Sequence, residues 1–345
     1  MATGKARAAR ITDLAAIGEL SRLSLRDAPE ARSLGLPVAG PPIGVFSLFR
    51  FPLGAFTPHD LLYVFEEDGH ISGLLRVERD PRRDEWTIVE LDGLGAADAG
   101  DIRFRLVQHL LRDAARRGAA RLHVACADEN GNVPLFMQAG FARYGEELIL
   151  FRPSGAPAVP PPTEVGARAA RIRSAEATDA VALFRLHQQV TPGPVARLEM
   201  LRITDWDRSG GAWRVPRSSL APILRFADVD MFVQDAADGG PDGTALDGFV
   251  EVGVAKEDQP HYLKVCVRPG VDASALIAFG LGTIAARAGG GGGGDRGVMA
   301  PVRTYESPVE RRFEDAAFST VATVTLLIKE TLVRVAEPAM VPAIG

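Results

Sequence analysis

The side chains best suited to chemistry in this chain are two cysteines, six histidines and several glycine-rich turns. Cys126 and Cys266 sit inside apolar strand-like runs, "RLHVAC" and "KVCV", a setting that fits buried thiols rather than a disulfide framework or a nucleophile. The histidines are scattered along the chain, without the short spacing that lets imidazoles share a metal. The run Gly289 to Gly294 satisfies any Gly-x-Gly-x-x-Gly search, yet it follows a helix and precedes a strand. A phosphate loop needs the reverse order, so that helix N-terminal amides face the anion, and the run reads as a flexible connector. "WTIVELDGLGAADAG" does pass from strand to helix through Gly93 and Gly95, but Asp98 stands where a dinucleotide turn needs a small residue. The strands before it also look hairpin-connected rather than alternating with helices.

The elements that position such residues come in two similar sets. The identical hexapeptide "ARAARI" at Ala6 and Ala167 is a decoy; aligning Arg7 with Arg173 (173 − 7 = 166) also matches Thr12 with Thr178 and Asp13 with Asp179. In both copies the Thr-Asp pair precedes apolar residues at helical spacing and reads as an N-cap signal. Later, "FMQAGF" (Phe136 to Phe141) and "FEDAAF" (Phe313 to Phe318) match at an offset of 318 − 141 = 177. Loops at "DAADGGPDGTALDG" and the glycine run can absorb the difference, because lengthening a loop costs little. "RPSGAPAVPPPTEVGARA" is dense in proline and small residues and reads as a linker. The expected organisation is therefore an N-terminal domain at 1–152, a linker at 153–169 and a C-terminal domain at 170–337.

With 345 residues, 46% hydrophobic and 24% charged, the composition fits a globular protein of two domains. No run approaches the ~18 apolar residues of a membrane span, and the basic start lacks the apolar core of a signal peptide; the expectation is a cytoplasmic protein without a membrane partner. A net charge of −5 gives no broad electrostatic reason to expect nucleic acid.

In each half the elements run helix, helix or loop, three antiparallel strands, central strand, long helix, strand, helix, strand, and the first half closes on "NVPLFMQAGFARYGEELILF". This order resembles the GCN5-related N-acetyltransferases (GNAT), and its repetition resembles a tandem member. The resemblance implies an α+β fold: two tandem GNAT-like domains, each a mixed, mostly antiparallel sheet with flanking helices and a splayed central strand pair. It also implies acetyl-CoA as co-substrate, bound in the opening between the fourth and fifth strands, and a small-molecule amine as acceptor. The pyrophosphate would rest on amides at the start of the following helix, where unpaired donors and the positive dipole end gather.

Carried onto this chain, the first half offers Leu91 on the strand "WTIVELD" and Gly100, Asp101, Ile102 and Arg103 at the helix start; Asn130 matches the asparagine ahead of the later helix. The second half offers Val265 and Val267 on "KVCV", then Ala273, Ser274 and Ala275, small enough for close approach to an anion, with Asp272 where a basic or polar residue would help. A carboxylate near the amine would serve as general base, and Glu90 is the candidate, placed on one face by strand alternation. The position of the proton-donating tyrosine holds Phe136 and Phe313; Tyr144 and Tyr305 lie nearby, and Tyr144 is taken as the candidate acid, with aromatic packing as the alternative for both tyrosines. The apolar "LPVAGPPIGVFSLFRFPLGAF" and "RITDWDRSGGAWRV" suit either acceptor-site lids or surfaces that dock the halves. The expected activity is acetyl-CoA-dependent N-acyl transfer to a small amine. The alternative is a catalytically inactive tandem scaffold or acyl-CoA-binding protein, since function resides in sites and not in architecture.

Overall fold

The computed structural model describes residues 4–27, 33–37, 60–80, 83–94, 99–127, 131–157, 171–207, 217–220, 223–237, 245–256, 259–288 and 296–331. Asn130, Gly95, Asp98, Trp213, the glycine run, most of the linker and most of the first apolar segment lie outside these residues.

The first half runs through β1 (Lys5–Ala8), α1 (Leu14–Asp27), β2 (Asp60–Glu67), β3 (His70–Asp80), β4 (Glu85–Gly93), α2 (Ala99–Arg116), β5 (Arg121–Ala127), α3 (Asn132–Gln138) and β6 (Ala142–Arg152). The second runs through β7 (Ile172–Ser174), α4 (Ala180–Val190), α5 (Gly193–Glu199), β8 (Phe226–Asp235), β9 (Leu246–Ala255), β10 (His261–Val267), α6 (Ser274–Ala288), β11 (Val298–Arg303), α7 (Ser307–Asp315) and β12 (Ser319–Glu330). The architecture is α+β, with antiparallel pairing everywhere except β4 with β5 and β10 with β11.

All twelve strands join one sheet in the order β1-β2-β3-β4-β5-β12-β6-β11-β10-β9-β8-β7. The two halves thus exchange their last strands. β12, from the second half, pairs along β5 from Val324 opposite Ala127 to Glu330 opposite Arg121. β6, from the first half, pairs with β11 from Val298 opposite Arg152 to Arg303 opposite Glu147. Each half completes the other's sheet, and no strand edge is left open at the centre.

The duplication read from the sequence has a structural counterpart at both ends. Arg7 clamps Asp13 with Nη1 and Nη2 at 2.6 and 3.0 Å, and Arg173 clamps Asp179 at 2.8 Å through both. Those aspartates do not cap the following helix as the Thr-Asp pattern suggests. Each accepts backwards instead, from the amide of Arg10 or Glu176, and closes a 3-10 turn; the arginine, not the helix, takes the remaining oxygens. Phe136 meets Phe141 edge-on at 5.1 Å, and Phe313 meets Phe318 at 4.8 Å. Phenylalanine at these positions is core, buried on both sides of the pair.

α2 lies over one face of β2 to β5, burying Ile102, Leu106, Val107 and Leu110 against Leu75, Val77, Ile88 and Leu91. α6 covers the matching face of β9 to β11, with Leu276 and Ile277 on Val250, Val265 and Val267. Gly73 and Gly248 let these helices approach: a Cβ at Gly73 would strike Ile102, and one at Gly248 would strike Leu276. The two helices are therefore in equivalent register, and Arg103 corresponds to Ile277. α4 packs on the opposite face, with Leu183, Leu186 and Trp206 against Phe249 and Cys266.

Candidate functional site

Both parallel strand pairs part company early. β4 and β5 are paired from Glu85 opposite Arg121 to Ile88 opposite Val124, after which β4 continues through Gly93 paired with β3 only. β10 and β11 share only His261 with Val298 and Tyr262 with Met299, and Leu263 to Val267 then diverge from β11. Each half therefore holds a wedge whose inner strand pairs only with its hairpin neighbour, β3 or β9.

In the first wedge Glu90 and Leu91 lie beyond the last pair. The alternation of "WTIVELD" is broken by a β-bulge: Arg76 faces Glu90 and Val77 faces Ile88, so Val89 has no opposite residue. The slip keeps Leu91 on the core face with Ile88 and turns Glu90 away from α2, where Arg76 Nε stands 3.7 Å from its Oε2. Ile102 is a core residue, and Asp101 pairs with Arg105 at 3.1 Å on the helix surface. Gly100 meets nothing in the space a side chain would fill.

Arg103 does something else. Its Nη1 donates to Asn132 Oδ1 at 2.7 Å, its Nε to the Ala99 carbonyl at 3.3 Å, and its stem passes over Gly93. Burial pulls this guanidinium below its ordinary range while Asp92 opposes the shift. The first wedge is thus crossed by a polar strap from α2 to α3. Asn132 is an asparagine that the described residues bring to this place, while Asn130 lies outside them.

The second wedge is walled differently. Val265, Val267, Ala273, Ile277 and Val309 are buried together on the α6 side. Ala273 and Ala275 are core residues; Ser274 donates its amide and hydroxyl to Asp272 Oδ1 at 3.3 and 2.9 Å, and Arg312 holds that carboxylate at 2.9 Å.

On the α4 side of this wedge lies a cavity of about 40 Å³, bounded by β10 and β11, by α4 and α5, and by β6 of the first half. Its acids are Glu147, Glu199 and Glu306, its cations Arg217, Lys264 and Arg303, and its rings Trp206, Phe249, His187 and Tyr305. Arg303 organises it: Nη2 reaches Glu199 Oε1 at 3.2 Å and the Arg217 carbonyl at 2.8 Å, while Nε lies 3.4 Å from Glu147. Lys264 Nζ reaches across to Glu306 at 2.7 Å and to the Pro301 carbonyl at 3.3 Å. Buried charges of this kind survive only when paired and hydrogen-bonded.

The electrostatics follow from burial. His187, whose Nε2 is 3.7 Å from Glu199 Oε2, is held down to about 4 by desolvation, with Arg303 adding to the effect. Desolvation raises Glu199, against the attraction of Arg303. Desolvation also lifts the Cys266 thiol well above its ordinary value, so it is a neutral wall rather than a nucleophile.

Tyr144 is not at the first wedge. β6 carries it into the seam between the halves, where its ring meets His123 edge-on at 6.4 Å and burial raises its phenol beside Arg303. The same seam gathers Arg83, Arg121 and Arg217 around Glu85, and Arg83 donates to the carbonyls of Glu199 and Met200 at 3.1 and 2.8 Å. Sequence reading missed Glu147, His187, Thr191, Glu199 and Arg303. One signal was present: His187 and Thr191 stand four apart, a spacing that can bring two side chains together at a helix end.

No protein-family profile and no curated protein matches this sequence. Solved structures do match in fold. A tandem GNAT protein from the clavulanic acid biosynthesis pathway superposes with a TM-score of 0.56 at 13% identity, over 95% of this chain and 98% of that one. A GCN5-related N-acetyltransferase from Sphaerobacter thermophilus gives 0.54 at 14% identity, over 95% of each chain. A glucosamine N-acetyltransferase region of a fungal multi-domain enzyme gives 0.57 at 11% identity, over 95% of this chain and 38% of that one. Among the described residues no helix is long and apolar enough to cross a membrane. With both wedges open and the helix order repeated, the chain carries the tandem GCN5-related N-acetyltransferase fold.

Proposed function

We propose that this protein transfers an acyl group from acyl-CoA, acetyl-CoA in the simplest case, to the amine of a small molecule, and that the second half does so. The observation that carries this reading is the apolar β10–β11 wedge opening beside a cavity that holds a raised carboxylate. An extended pantetheine arm needs strand backbone to pair with and apolar walls, which Leu263 to Val267 and Ile277 offer. In the first half the matching position is the guanidinium of Arg103, tied across the wedge.

An amine reaches the site as an ammonium and must lose a proton before it can attack. Glu199 is suited to take it, because burial raises the carboxyl's affinity for a proton. Lys264, on the wedge strand, places positive charge where the thioester oxygen would gain negative charge. The cavity's volume suits the reacting end of a small amine. A release assay for free thiol against a panel of small amines tests the reading: wild type turns over at least one, and Glu199→Gln loses on the order of 10²-fold or more.

A second reading has one observation behind it. Asp272 already occupies the Ser274 amide at the start of α6, where a pyrophosphate would sit, and repels it. On that reading the fold is a scaffold, and no amine in the panel releases thiol.

A further inference from the structure

The cavity holds a row of hydrogen-bonding groups beyond the carboxylate that attack requires. His187 lies in the last turn of α4 and Thr191 caps that helix. The Thr191 hydroxyl is 3.1 Å from His187 Nδ1, and its influence on the neighbouring Tyr305 phenol favours the phenolate. On the far side of the ring Nε2 faces Glu199 at 3.7 Å, and all four residues line the cavity. Tyr305 follows β11 directly, in the 3-10 turn Thr304–Glu306 at the wedge mouth.

None of the three inner groups tolerates charge. Burial holds the imidazole neutral, with Arg303 and Lys264 working against protonation and Glu306 for it. Burial also keeps the Tyr305 phenol from ionising, although Arg303 favours the phenolate. A threonine hydroxyl has no accessible charged form. Such groups pass a proton only when each accepts on one atom while releasing from another.

We propose that His187, Thr191 and Tyr305 form a relay that carries the second proton of the attacking amine to the departing thiolate of the acyl-CoA. This inference rests on the acyl-transfer reading of the same cavity. The ammonium's first proton goes to Glu199 and then to solvent. As the nitrogen bonds to the thioester carbonyl carbon and the carbon–sulfur bond breaks, the second proton moves to His187 Nε2. The Nδ1 proton moves to Thr191 Oγ1, the Thr191 proton to the Tyr305 oxygen, and the phenolic proton to sulfur. The products are an amide, a free thiol and one proton in solvent. The ring recovers its starting tautomer when Nε2 passes its proton to Glu199 and solvent resupplies the Tyr305 end. Thr191 touches no reacting atom and is a positioning residue.

The test uses the full chain. In histidine-labelled protein, nitrogen NMR should find His187 neutral with its proton on Nδ1. Thr191→Val should lower kcat for thiol release on the order of 10²-fold, leaving acetyl-CoA binding by calorimetry and the amine KM unchanged. Thr191→Ser, which restores the hydroxyl, should recover most of the rate; loss of packing alone would not be rescued in this way. A His187 proton on Nε2 in wild type, or full kcat in Thr191→Val, overturns the relay and leaves acyl transfer standing. A wild type that neither binds acetyl-CoA nor releases thiol overturns the acyl-transfer reading and the relay together.

Discussion

Glu90 and Lys264 hold the same place in the two wedges and carry opposite charge. Gly93 faces Gly73 on the preceding strand, Val267 faces Gly248, and each charged residue stands three positions earlier. Glu90 answers to Arg76 and Lys264 to Glu306. The duplication kept the backbone opening and inverted the charge beside it, which gives the halves different chemistry.

The Lys264 pair is buried, with side chains 9% and 5% exposed, so removing one partner strands a charge. Lys264→Met should destabilise the protein by about 3–5 kcal/mol, and Lys264→Met with Glu306→Gln should recover much of that loss. Urea unfolding of the three proteins measures both effects.

Acid should unfold the protein through two histidines. Burial holds His123 at about 3 and His187 at about 4, both below the ordinary 6.5. Their neutral forms stabilise the fold fully above 6.5. That contribution falls as pH drops from there towards 3, because the unfolded chain binds protons the folded chain refuses. Glu199 is shifted upward and opposes the trend, since its folded form gains a proton first. The urea midpoint should therefore fall between pH 7.5 and pH 5, and His123→Gln with His187→Asn should flatten the slope.

The exchanged strands make the halves interdependent. Residues 1–157 alone would leave the β5 edge without β12, and residues 171–345 alone would leave β11 without β6. Each fragment should be poorly folded by circular dichroism, and co-expression should restore a stable complex. Independent folding of either fragment with native-like thermal stability would contradict the shared sheet.

Much of this fold was legible in the sequence, and for identifiable reasons. The Arg7/Arg173 register and the paired phenylalanines are local patterns, repeated because each copy solves the same packing problem. Strand exchange was not legible: β6 and β12 follow equivalent helices, and nothing in either strand's own pattern says which of β5 and β11 it will join. The bulge at Val89 was hidden for a related reason, because alternation is read along one strand while a bulge is set by its partner. The cavity escaped because Glu147, Glu199 and Arg303 are far apart in the chain and meet only when β6 crosses into the second half.

The strap across the first wedge bears on which half binds the co-substrate. Arg103→Leu removes the link to Asn132 and should leave acetyl-CoA affinity unchanged, because the proposed site lies in the other wedge. Ile277→Arg places a guanidinium at the equivalent position in the second wedge and should abolish binding, with folding checked by thermal melting.

Calorimetric titration of the full chain with acetyl-CoA tests the central claim most directly. One molecule should bind per chain, with the heat lost in Ile277→Arg and retained in Arg103→Leu. No heat with the wild type, two molecules per chain, or undiminished binding by Ile277→Arg would contradict it.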